Sequence, residues 1–77
     1  MEEFIETLKP MLIGKAIKYI RYMNDDEMQM FGWYSRPIII LLDDGTFIVP
    51  QRDDEGNDGG AIALVNNKKY TLIPTYQ

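Results

Sequence analysis

The sequence predicts a mainly β domain with short helices, in which an N-terminal helix precedes five short strands that close as a small β-barrel. Three observations predict it. Two apolar runs are each divided by a tight-turn signal, Asp43-Asp44-Gly45 in one and Asn66-Asn67 in the other. β-branched and aromatic types gather at Ile17, Tyr19, Ile20 and Tyr22. Helix punctuation is confined to two short segments, at the N-terminus and at residues 24–32.

The first helix is expected over about residues 2–9. Glu2, Glu3 and Glu6 suit a helix N-terminus, Phe4, Ile5 and Leu8 make an apolar stripe, and Pro10 is expected to end it. Leu12 to Met23 admits two readings. Ile13, Ile17 and Ile20 fit a helical stripe, whereas Gly14 and the β-favouring residues after it favour a strand over about 15–23. Asn24 is an N-cap with Glu27 completing a capping box, and Gly32 suits the C-terminal cap, so a short helix is expected over 24–32. Strands follow at about 38–42 and 46–50. Arg52 to Gly60 contains no apolar residue and reads as an exposed, mobile loop. The last two strands are expected at about 61–65 and 70–73.

Leu12-Ile13-Gly14-Lys15-Ala16-Ile17 resembles the opening of an Sm-like (Lsm/Hfq-type) domain, in which a helix leads into a Leu-x-Gly-Lys-x-Val strand. Ile40-Leu41-Leu42-Asp43-Asp44-Gly45-Thr46-Phe47-Ile48 resembles that family's first hairpin, and Leu72-Ile73-Pro74 its terminal strand. The resemblance implies an SH3-type, five-stranded barrel spanning 1–77 as one domain, and a homo-oligomeric ring joined between the fourth strand of one copy and the fifth of the next. Single-stranded RNA is the ligand it implies. The family's Asp-x-x-x-Asn uridine signature is absent here, so no RNA-contact residue is carried over. Arg52 to Asp58 is similar to segments of small bacterial and phage proteins, which implies a phage or environmental origin and a host cytoplasm.

Size supports the oligomer independently. A chain of 77 residues buries only about 60% of the surface it exposes when unfolded, and domains this small usually carry a disulfide, a metal or a partner. With no Cys and no His, disulfides are excluded and a zinc site is not expected. Ile38 to Leu42 is apolar on both faces, so it needs a second cover, from the helices or from a neighbouring copy. Ile38, Ile39, Ile40 and Leu41, with Tyr70 and Leu72 of the last strand, are the candidate interface.

The chemistry is sparse. The chain lacks a His base and a Cys nucleophile, and Ser35 is its one serine. Asp25/Asp26, Asp43/Asp44 and Asp53/Asp54 are adjacent pairs that a cap, a turn and a loop explain, so no enzymatic activity, cofactor or metal is expected. The Asp53–Asp58 carboxylates lack EF-hand spacing. A net charge of −4 argues against duplex DNA as a partner. Lys68, Lys69 and Tyr70, with Trp33 and Arg36, pair aromatic with basic character and are the candidate contacts to single-stranded RNA. The alternative is a ring-forming structural module that binds protein, with Met28, Met30 and Phe31 as an adaptable face. No run approaches the ~20 apolar residues of a membrane span, and the acidic start Met1-Glu2-Glu3 is unlike a secretory leader, so a cytoplasmic protein without a membrane partner is expected.

Overall fold

The computed structural model describes residues 2–77. The elements are α1 (Glu2–Leu12), β1 (Ile17–Tyr22), α2 (Asp25–Phe31), β2 (Ile38–Leu42), β3 (Phe47–Ile48), β4 (Ile62–Asn66) and β5 (Lys69–Ile73). The molecule is mainly β with two short helices. Its five strands form two separate antiparallel sheets, β1-β2-β3 and β4-β5, and they close no barrel. That corrects the expectation of a single closed barrel. β3 is only two residues long, which leaves no strand to carry the first sheet round to the second.

Within Leu12 to Met23 the strand reading holds for β1, Ile17–Tyr22, while Leu12 closes α1 and a turn at Ile13-Gly14 separates the two. β1 pairs with β2 through Ile20↔Ile40, Arg21↔Ile39 and Tyr22↔Ile38. Ile17 pairs with Leu42 and Tyr19 with Leu41, so Lys18 is an extra, bulged residue. The bulge places Ile17 and Ile20 on the same face of the sheet, at a spacing that an unbroken strand would divide between two faces.

α2 forms where its caps stand. The Asn24 side chain accepts from the Glu27 N–H, the Glu27 carboxylate accepts from the Asn24 N–H, and Gly32 closes the helix in the left-handed region at φ 71°. Arg21 of β1 reaches across with two bonds of 2.9 Å to Glu27, locking the helix over the sheet. Beneath it Met23, Met28, Trp33 and Ile39 form the core, with Val49 packed against them. One face of β2 is therefore covered by the chain's own helix and by Trp33. On the other face Ile38 and Leu42 are buried and Ile40 is half-buried. The C-terminal segment crosses near Ile38: the Tyr22 hydroxyl donates to the Pro74 carbonyl, the Tyr22 and Tyr76 rings meet edge to face at 4.4 Å, and Arg36 exchanges backbone bonds with Tyr76.

α1 runs through Pro10 to Leu12 and does not stop before the proline. Pro10 lies on the side opposite the apolar stripe and is exposed, so water can take the carbonyl it leaves unpaired. No residue of α1 is buried, and the helix packs on no strand to any extent. β4 and β5 form a hairpin around Asn67 (φ 55°), and its contacts lie almost entirely between its own two strands.

Arg52 to Gly60 is not the free loop its composition suggests. The Asp58 carboxylate is buried and accepts from the Tyr34, Ser35 and Gly59 N–H groups at 3.0, 2.7 and 2.9 Å. The Arg52 N–H donates to the Asp58 carbonyl and the Gly60 N–H to the Pro50 carbonyl. Gly59 approaches Ser35 so closely that a Cβ would lie 2.2 Å from the Ser35 carbonyl oxygen, which only glycine permits.

Candidate functional site

Of the five residues singled out for RNA, two are committed within the chain. Trp33 is only 6% exposed, stacks on Phe31 at 4.9 Å, and donates from its indole N–H to the Gly56 carbonyl at 2.7 Å. Its ring is a core element and offers no open face to a base. Arg36 donates to the Met23 carbonyl and, at 2.7 Å, to Asp25, and its guanidinium lies over the Tyr76 ring at 5.6 Å. It ties the connection before β2 to α2 and to the C-terminal segment. Tyr34, beside Trp33, is the aromatic that faces solvent in this segment, at 80% exposed.

The other three lie together. Lys68 is in the β4–β5 turn, Lys69 and Tyr70 open β5, and all are exposed. Neither lysine forms an ion pair among the described residues. Of the five residues singled out for RNA, these three present basic and aromatic side chains to solvent.

The interface candidates divide in the same way. Ile38 and Ile39 are buried within the chain, and Ile40 and Leu41 are half-buried. The second cover that Ile38 to Leu42 needs comes largely from the chain itself. Tyr70 and Leu72 are exposed, and the register places them with Val65 and Ala63 on one face of the hairpin, as the cross-strand pairs Val65↔Tyr70 and Ala63↔Leu72. Ile62, Leu64, Thr71 and Ile73 occupy the opposite face.

A second apolar surface is absent from the sequence-based candidates. Phe4, Ile5, Leu8, Met11 and Leu12 form one stripe along α1, and each is at least 40% exposed. The signal is present in the sequence. The stripe seen at Phe4, Ile5 and Leu8 continues at helical spacing to Met11 and Leu12 once the helix is carried past Pro10.

The electrostatics are structural. Hydrogen bonds from Arg21, helped by the Asn24 N–H, hold the Glu27 carboxyl down to about 2. The Ser35 N–H, then those of Gly59 and Tyr34, lower Asp58. The Thr46 N–H and Lys15 lower Asp44 in the β2–β3 turn, and Asn57 lowers Asp53. Each carboxylate is stabilised by a cap, a turn or a loop. Among the described residues no pocket indents the surface, and no three acidic side chains converge as metal ligands would. No described helix is long and apolar enough to cross a membrane.

Two exposed surfaces stand out: the amphipathic helix α1, acidic at its start, and the β4–β5 hairpin, with an apolar face and lysines at its tip. No protein-family model, no curated protein and no solved structure matches this chain.

Proposed function

We propose that the protein is a self-associating, non-enzymatic binding module that works as a homo-oligomer in the cytoplasm. One observation carries the reading. The buried core comprises few side chains, while nearly every large apolar side chain of α1 and of β4–β5 lies open to water. Neither element is stable in that state. A helix of this length is marginal in water without tertiary packing, and so is a lone two-stranded hairpin. Both acquire stability when copies cover them. The Sm-like ring belongs to this proposal: a leading helix and five antiparallel strands support it, with α2 inserted between β1 and β2, and the barrel of such a ring would have to be completed between copies. Molar mass by light scattering tests the reading. A multiple of the chain mass is expected, and a chain that stays single at high concentration refutes it.

Lys68, Lys69 and Tyr70 support a second reading, in which the assembly binds single-stranded RNA through its hairpin tips. A ring or dimer repeats that tip once per copy and adds avidity to a weak contact. An anisotropy titration with U-rich and A-rich RNA at two salt concentrations tests it. Binding that weakens with salt and with Lys68→Ala plus Lys69→Ala supports RNA, and no binding at low salt leaves the protein-interaction module alone.

A further inference from the structure

We infer that α1 of one copy lies along the Ala63-Val65-Tyr70-Leu72 face of the β4–β5 hairpin of a second copy, in a reciprocal two-fold pair. The inference rests on the self-association proposed above and takes a two-fold pair, in place of the Sm-like ring, as its form.

Length, area and charge support the pairing. α1 has 11 residues and spans about 16 Å at the helical rise. Each hairpin strand has five residues and spans about 17 Å. The helix is thus as long as the hairpin, and its stripe from Phe4 to Leu12, about 12 Å, is long enough to cover the apolar face between Ala63 and Val65, about 7 Å. On the helix Phe4 is 66%, Ile5 51% and Met11 47% exposed, and on the hairpin Val65 is 68%, Tyr70 65% and Leu72 52%. At on the order of 200 Å² for a full side chain, the two faces leave roughly 900 Å² uncovered per chain, against about 800 Å² per partner in a stable complex.

Charge selects this arrangement over the others. Glu2 and Glu3 begin α1, and Lys68 lies in the turn at the hairpin tip, with Lys69 beside it on the opposite face of β5; none of the four has an ionic partner among the described residues. Laying the helix with its N-terminus at the hairpin tip brings acid to base. Pairing hairpin tip with hairpin tip would bring lysine to lysine. A lipid surface fits poorly, because the polar side of α1 carries Glu2, Glu3 and Glu6 against the single Lys9, the reverse of an interfacial helix. A two-fold pair uses both patches of both copies and leaves neither exposed.

The chain has no Cys, so single-thiol variants report contacts cleanly. Leu8→Cys and Val65→Cys chains are mixed, allowed to exchange and oxidised. Both positions are exposed, so the core is untouched, and Trp33 emission checks the fold. The expected product is the mixed disulfide dimer, exceeding either homodimer by about tenfold, because a disulfide forms only between Cβ atoms held near contact distance. Phe4→Cys with Tyr70→Cys repeats the test with a second pair. A predominant Leu8→Cys homodimer, or no cross-link in a protein of twice the chain mass, overturns this interface and leaves self-association standing. A single-chain mass at about 100 µM, far above the dissociation constant of an interface this size, overturns both.

Discussion

The indole N–H of Trp33 donates to the Gly56 carbonyl at 2.7 Å, and this bond pins the middle of the acidic loop to the segment that follows α2. The same tryptophan packs with Met23, Met28 and Ile39, so loop and core share one side chain.

Trp33→Phe keeps an aromatic ring but removes the donor and some volume. The Gly56 carbonyl loses its partner and the core loosens, at a cost of about 1–3 kcal/mol. Urea unfolding followed by far-ultraviolet circular dichroism measures the loss. In the native protein the buried indole emits to the blue and shifts red on unfolding; a solvent-like native emission would contradict the burial.

Asp58 receives three N–H donors on one oxygen, Oδ1. Asp58→Ala leaves all three without a partner and lowers the melting temperature by several degrees. Asp58→Asn keeps an oxygen at the same position and retains most of the stability. Gly59→Ala fails for a steric reason, since its Cβ would overlap the Ser35 carbonyl, and it costs about 2 kcal/mol or more. Thermal melts of the three variants rank them Asn, then Ala at either position.

Glu27 sets an acid limit on stability. Arg21 and the Asn24 N–H lower its carboxyl from 4.5 to about 2 in the folded protein. The folded value lies below the unfolded one, so the stabilisation is complete above about pH 4.5 and is lost as pH falls toward 2. Glu27→Gln keeps an acceptor for the cap but loses the ion pair, and is less stable by about 1 kcal/mol at neutral pH. Urea midpoints from about pH 7 to pH 3 show the wild type approaching the variant as acid is added.

The sequence's legibility followed the range of the interactions involved. Asn24, Glu27 and Gly32 act within one helix, and the structure reproduces the helix they mark. Asp44-Gly45 acts within one turn, and β2 falls where the apolar run does. The helical look of Ile17 and Ile20 was a property of the bulge at Lys18, which restores both residues to one face of a strand. No pattern within the strand alone reveals such a bulge. Asp58 looked like one more solvated carboxylate because its donors, Tyr34 and Ser35, are more than twenty residues away. Trp33 and Arg36 had the chemistry of a nucleic-acid contact and serve the interior, for the same reason: their partners Gly56 and Tyr76 are distant in the chain. The barrel depended on how the two hairpins meet, which the hairpins' own residues leave open.

Reversing charge at the hairpin tip gives a test of the proposed pair that needs no cross-link. Exposed ion pairs contribute about 0.2–1 kcal/mol each. A two-fold pair repeats the approach of the acidic helix start to the lysine-bearing tip, so Lys68→Glu with Lys69→Glu should weaken dimerisation by about tenfold, including the repulsion it introduces. Adding Glu2→Lys with Glu3→Lys to the same chain exchanges the signs and should restore most of the loss. Sedimentation equilibrium at low salt reads both steps, and raised salt should shrink both. If the doubly reversed chain associates no better than the singly reversed one, the acidic helix start and the basic tip do not meet. If reversal at the tip leaves association unchanged at low salt, the hairpin tip lies outside the interface.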